Sequence, residues 1–133
     1  MNYLEAEDLT TGYGRQVISE ALNCSFEAGT ITSIIGPNGC GKSTLLKTLA
    51  RILPAEKGKV FIKNQELQHF SSKEVAQELA ILSQTPENTI DLSVFDLVSF
   101  GRYPYQSGWK SVTTEDQEYI QCCLLYTSDA ADD

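Results

Sequence analysis

Apolar and polar residues alternate from Tyr3 to about Ile35, and Leu22, Cys24 and Phe26 fall on one side of a strand, at the period of two that a half-buried strand shows. Glu27-Ala28-Gly29-Thr30 interrupts the pattern as a turn. Ile31-Thr32-Ser33-Ile34-Ile35 then forms a short β-branched run, apolar enough to predict a buried strand. After a glycine-rich stretch, Leu45, Leu46, Leu49, Ile52 and Leu53 recur at helical spacing and predict a helix from Lys42 to Leu53. Pro54 closes it, because proline cannot continue the hydrogen-bond ladder.

The pattern continues in the same order. Val60-Phe61-Ile62 predicts a strand and Lys63-Asn64-Gln65 its turn. Ser71 or Ser72 caps a helix running to about Leu79, after which Ile81-Leu82-Ser83 returns to strand character. Ser93 with Asp96 has the spacing of a capping box and opens a short helix through Phe100 that Gly101 can terminate. Thr113 with Asp116, or Thr114 with Gln117, starts another helix. Strand, loop, helix, strand is the α/β order that a parallel sheet requires.

Composition adds bounds. With 133 residues, 41% hydrophobic and 21% charged, the chain suits one globular domain at most. The net charge of −8 argues against a nucleic-acid or anionic-membrane partner reached through bulk electrostatics. Asp129, Asp132 and Asp133 supply part of that acidity from the last five residues. The N-terminus has neither a basic segment nor an apolar stretch of signal-peptide length, and no run approaches the roughly 18 to 20 apolar residues that span a bilayer. Cys24, Cys40, Cys122 and Cys123 have neither metal-ligand spacing nor the look of a disulfide framework, so a reducing cytoplasm is expected.

The glycine-rich stretch carries the chemistry. Gly36-Pro37-Asn38-Gly39-Cys40-Gly41-Lys42-Ser43 matches Gly-x-x-x-x-Gly-Lys-Ser/Thr in full, with Thr44 next. Glycines let successive backbone N–H groups turn inward onto phosphate oxygens, and the following helix adds its positive dipole end beneath the same anion. Asn38, Gly39, Cys40, Gly41, Lys42, Ser43 and Thr44 are therefore the expected phosphate-binding residues. Lys42 supplies a mobile charge to the β- and γ-phosphates of ATP, and the Ser43 hydroxyl is an expected magnesium ligand. Cys40 lies inside the loop, where a small filler needs no contact with nucleotide.

At these residues the chain resembles the ATP-binding subunit of ABC transporters. Gly-Pro-Asn-Gly-Cys-Gly-Lys-Ser-Thr-Leu-Leu at 36–46 is the form of the loop common in that family. The resemblance implies that Tyr13 stacks on adenine, although a tyrosine between two glycines also suits a plain surface turn. It implies that Gln84, after Ile81-Leu82-Ser83, is the glutamine that reaches magnesium or water near the γ-phosphate, a catalytic and metal-facing role. Ser72 to Ala76, Asp96-Leu97-Val98 and Gly101-Arg102-Tyr103-Pro104-Tyr105-Gln106 resemble importers of iron–siderophore complexes, with cobalamin and haem importers as relatives. The fold so implied is an α/β P-loop nucleotide-binding domain, its N-terminal part an antiparallel β subdomain beside an incomplete parallel core sheet.

Partners follow from the resemblance. A membrane permease subunit would meet the region from Gln84 to Gln106, where Arg102, Tyr103 and Tyr105 are side chains of the kind enriched at interfaces. A second ATP-binding subunit and, indirectly, a periplasmic or surface binding protein complete the set. The expected location is the cytoplasmic face of the cell membrane. His69 comes too early to be the family's switch histidine and is expected on the surface.

The resemblance extends to about residue 122. The family's Leu-Ser-Gly-Gly signature, its strand ending in aspartate, the catalytic glutamate and the switch histidine are not among these residues. Residues 123–133 depart from the helix expected to continue from Thr114 and resemble a translated sequencing-library adapter, a natural acidic terminus being the alternative. The sequence therefore predicts a partial nucleotide-binding domain over residues 1–122 that binds ATP without turnover. A P-loop kinase or a GTPase gives no reason for Tyr13, Gln84 and Gly101 to Pro104 to occur together.

Overall fold

A computed structural model describes residues 1–84, 91–107 and 112–132, with side chains placed as far as Leu125. It forms two compact units, Met1–Ile81 and Leu82–Asp133.

The first unit is built on a four-stranded antiparallel sheet of order β2-β1-β3-β4, from β1 (Asn2–Tyr13), β2 (Gln16–Glu27), β3 (Lys57–Ile62) and β4 (Gln65–Glu66). The alternation of the sequence is not continuous along β1. Asp8 takes φ 47° and the register shifts between Ala6 and Leu9, so an odd spacing still delivers both residues to the core at 2% and 0% exposure. Asn23 of β2 secures that bulge by accepting from the Asp8 N–H at 3.0 Å. The predicted turn after Val60-Phe61-Ile62 is present: Lys63 and Asn64 take φ 50° and 65°, the left-handed pair a two-residue hairpin uses, between the partners Ile62 and Gln65.

Helix α1 (Lys42–Leu49) and helix α2 (Ser72–Glu78) complete this unit, with a 3-10 turn at Leu67–His69 between them. Ala6, Leu9, Leu45, Leu49, Val60, Ile62, Leu67 and Val75 form one buried cluster. Ser71 caps α2: it accepts from the Glu74 N–H while the Glu74 carboxylate accepts from the Ser71 N–H, satisfying two helix-end donors. His69 is exposed, as expected.

Helix α1 stops at Leu49, short of the predicted Leu53. Arg51 adopts φ 58°, the Ile52 N–H reaches back to the Lys47 carbonyl at 2.9 Å and the Arg51 N–H to the Thr48 carbonyl at 3.1 Å. This is a Schellman end with arginine where glycine is usual. The guanidinium accounts for that choice, donating to the Leu67 carbonyl at 3.1 Å, the Phe70 carbonyl at 2.6 Å and Ser72 Oγ at 3.2 Å. Pro54 therefore lies beyond the helix rather than ending it.

The two predicted inner strands are not formed. Residues 31–35 adopt no regular structure and pair with no strand among the described residues, with Ile31 98% and Ile35 92% exposed. Residues 81–83 likewise adopt no regular structure. A strand apolar on both faces draws its hydrogen bonds and its burial from neighbouring strands, and no parallel pair exists among the described residues. Among the described residues the antiparallel subdomain is thus present, and no pair of parallel strands is formed.

The second unit contains α3 (Val94–Ser99), a 3-10 helix over Phe100–Tyr105 and α4 (Thr114–Asp132). Ser93 and Asp96 make the predicted capping box. Gly101 does not terminate α3; the chain tightens through it into the 3-10 turn. Thr113 rather than Thr114 caps α4, its hydroxyl accepting from the Asp116 N–H at 3.2 Å. The change of structure expected at Cys123 is absent, since α4 runs without a break to Asp132; Asp133 lies outside the described residues.

Candidate functional site

Between residues 35 and 42 the chain makes a tight loop that feeds directly into α1. Gly39 and Gly41 take φ 81° and 99°, which side chains on L-residues resist. Gly41 is also sterically required: a Cβ there would lie 2.5 Å from Ile18 Cγ2 on β2. The loop is thus seated on the sheet at Ile18 and Ser19, through a contact that no local feature of the sequence announces.

Gly41 is the N-cap of α1 and supplies no side-chain hydrogen bond, leaving the first-turn N–H groups without a side-chain acceptor. Lys42 folds back over the loop: its Nζ donates to the Gly36 carbonyl at 2.5 Å and to the Pro37 carbonyl at 2.8 Å, and approaches Cys40 Sγ at 3.5 Å. Cys40 packs over Gly36, where a Cβ would meet its sulfur at 2.7 Å. Asn38, Gly39, Cys40 and Ser43 are exposed, whereas Thr44 is buried and its carbonyl accepts from Thr48 Oγ1 at 2.8 Å. Uncapped amides, one ammonium and one exposed hydroxyl form a donor set suited to a phosphate chain, and they offer nothing to a cation except the Ser43 oxygen.

Tyr13 ends β1 opposite Gln16, at the tip of the hairpin that carries Ile18, and is half exposed. Two residues of strand separate Gln16 from Ile18, roughly 7 Å. The hairpin therefore places Tyr13 beside the wall on which Gly41 rests. Gln84 belongs to the second unit, where it is an exposed residue in a bend. A groove of about 570 Å³ in the first unit is lined by Leu4, Phe26, Ile34, Leu46, Leu49 and Ile81 among others, but by no residue of the 36–44 loop. Its apolar walls have nothing to offer a phosphate.

Electrostatic organisation is concentrated elsewhere. Tyr3 donates from its hydroxyl to Glu78 Oε2 at 2.5 Å, and Lys63 Nζ lies 2.9 Å from the same oxygen. These two partners hold the Glu78 carboxyl below its ordinary range, while Glu78 pushes the Tyr3 phenol upward. In the second unit, Arg102 holds the Asp116 carboxyl low, helped by the Thr113 N–H.

Comparison with known proteins agrees with this geometry. The family model described as ABC transporter matches residues 19–128, and the chain belongs to that family. It is 47% identical over 127 residues to the iron(3+)-hydroxamate import ATP-binding protein FhuC of Bacillus subtilis, covering 96% of this chain and 47% of that protein. It is 43% identical over 124 residues to the ferric enterobactin transport ATP-binding protein FepC of Escherichia coli, covering 93% and 46%. The chain thus spans about half the length of the curated relatives it matches. Among solved structures, an ATP-binding subunit of an ABC transporter superimposes with a TM-score of 0.67 at 25% identity, over 80% of this chain and 44% of that one. A nucleotide-free ATP-binding cassette gives the same TM-score at 26% identity, over 82% and 44%.

Proposed function

We propose that this chain is part of an ATP-binding subunit that drives import of an iron–siderophore-type substrate. The observation that carries the nucleotide half of the reading is the mouth of the 36–44 loop, where Lys42 bridges two carbonyls above an uncapped helix start. Asn38, Gly39, Cys40, Gly41, Lys42, Ser43 and Thr44 would hold the phosphates through backbone donors and the Lys42 ammonium. Tyr13, exposed beside the loop, would stack on the base. Ser43 would ligate magnesium, with Gln84 as a second oxygen donor and a water-positioning group. Bound ATP supplies a phosphoanhydride whose cleavage releases the free energy for transport.

The substrate half rests on the relatives, whose names specify iron(3+)-hydroxamate import, petrobactin import and ferric enterobactin transport. Cobalamin or haem import is the alternative within the same architecture. Among the described residues no helix is long and apolar enough to cross a membrane, so translocation in this reading belongs to a membrane permease subunit. That subunit would meet the Gln84–Gln106 region, of which residues 85–90 lie outside the described residues. A second ATP-binding subunit and a periplasmic or surface binding protein complete the assembly, at the cytoplasmic face of the membrane.

We expect this chain to bind ATP through the 36–44 loop. Calorimetry with ATP, ADP and GTP, with and without magnesium, tests the reading together with a phosphate-release assay. ATP binding that magnesium strengthens, abolished or sharply weakened in Lys42→Ala, is the expected result. A marked preference for GTP, or ATP affinity unchanged in Lys42→Ala, would sink it.

A further inference from the structure

Arg102, grouped from the sequence with side chains of the kind enriched at interfaces, is largely covered by residues of its own unit. Its Nε donates to Asp116 Oδ1 at 2.8 Å, and its guanidinium carbon lies 4.5 Å from the Tyr105 ring centroid and 4.3 Å from that of Tyr119. The Arg102 side chain is 18% exposed and that of Asp116 only 4%. The other Asp116 oxygen accepts from the Thr113 N–H at 3.1 Å, closing the cap of α4. One carboxylate thus fastens the cation of the 3-10 turn to the first turn of α4.

Tyr103, the next residue, is 76% exposed, and Phe100 is 55% exposed. Both belong to the same 3-10 helix, in which residues three apart eclipse, so the two rings share a face. Leu97, one step earlier on α3, is 60% exposed. Here an apolar and aromatic strip is presented by a turn that Arg102 ties to α4 from behind.

We propose that Arg102 is a positioning residue: it locks the Phe100–Tyr105 turn against α4, so that Tyr103 is presented ready-made to the membrane subunit. This rests on the partner assigned under Proposed function. The physical gain is preorganisation, since a turn already held in its bound shape loses less conformational freedom on docking. Guanidinium is suited to the task because its plane stacks on two rings while its edge binds a carboxylate. Lysine keeps the charge and the reach but has no plane to stack. Arg102→Lys therefore separates the clamp from simple charge.

The test compares the wild-type chain with Arg102→Lys, Tyr103→Ala and the double variant in two measurements. Amide hydrogen exchange reads the clamp by itself. Arg102→Lys should speed exchange about tenfold at residues 100–106 and in the first turn of α4, with the β1–β2 hairpin unchanged. Capture by nanodiscs holding the membrane subunits of the Bacillus subtilis iron(3+)-hydroxamate importer reads the presentation. Arg102→Lys and Tyr103→Ala should each weaken capture about tenfold, and the double variant should be no weaker than Tyr103→Ala alone. Losses that multiply in the double variant would make Arg102 a direct contact and overturn the inference, as would unchanged exchange. Capture of the wild type with Arg102→Lys unaffected removes the inference and leaves the partner assignment standing. No capture of the wild type removes the partner assignment and the presentation role with it.

Discussion

The ammonium of Lys42 bonds the carbonyl of Gly36 at 2.5 Å, joining the two ends of the glycine-rich loop across its mouth. That closure depends on the chain turning sharply at Gly41, which is left-handed and pressed against Ile18.

Gly41→Ala should therefore disturb the loop twice, by backbone strain and by the clash with Ile18. We expect a loss of about 2 kcal/mol or more in stability, together with loss of ATP binding. Adding Ile18→Ala should relieve the clash and leave the strain, recovering part of the stability and none of the binding. Denaturant unfolding and calorimetry check this; full recovery in the double variant would show that φ at Gly41 is unimportant.

Tyr13 provides a separate test of the base site. Removing an aromatic platform costs a base roughly 1–3 kcal/mol, so Tyr13→Ala should weaken ATP about tenfold, while Tyr13→Trp should bind as well as the wild type. Inorganic triphosphate, which has no base, should bind both variants equally. A triphosphate affinity that falls with Tyr13→Ala would place Tyr13 in loop packing rather than base recognition.

At the end of α1, Arg51 combines an unfavourable backbone with three favourable side-chain bonds. Arg51→Ala keeps the strain and loses the bonds, and should cost about 1–3 kcal/mol. Arg51→Gly loses the bonds but also the strain, so it should be about 1 kcal/mol less damaging. Urea midpoints for the two variants decide it, and equal destabilisation would mean that the left-handed residue is not strained.

The Tyr3–Glu78–Lys63 contact predicts a pH response. The Glu78 carboxyl is depressed in the folded chain, first by the Tyr3 hydroxyl and then by Lys63. The unfolded state therefore takes up the proton first: the contribution is complete above the ordinary glutamate pKa of about 4.3 and is lost as pH falls through the lower folded value. Thermal melts should show a steeper acid-side loss in the wild type than in Glu78→Gln, with the difference between them constant from pH 6 to 8. Parallel curves below pH 4 would show that Glu78 is not held ionised by its neighbours.

Much of this was legible before any coordinates. The Ser71–Glu74, Ser93–Asp96 and Thr113–Asp116 caps involve partners three residues apart, and the Lys63-Asn64 turn and the glycine loop are also decided within a few residues. Long-range contacts were not legible in the same way. Arg102 is of the kind enriched at interfaces, but its partners Asp116 and Tyr119 come from α4, and Asp116 is 14 positions further along the chain. The Ile18 wall behind Gly41 was invisible for the same reason, since a strand formed earlier in the chain provides it.

By itself the sequence determined the glycine-rich turn, the helix starts and the tight hairpin, because backbone sterics and short-range hydrogen bonds suffice to specify them. It also determined membership of the ABC transporter family, which the match over residues 19–128 bears out. Only the tertiary structure decided where α1 stops, which residues Arg51 and Arg102 hold, and that the apolar runs at 31–35 and 81–83 form no strands. Strand formation is a collective property: β-branched residues supply the propensity, but hydrogen bonds and burial come from neighbouring strands, and among the described residues none is paired with them.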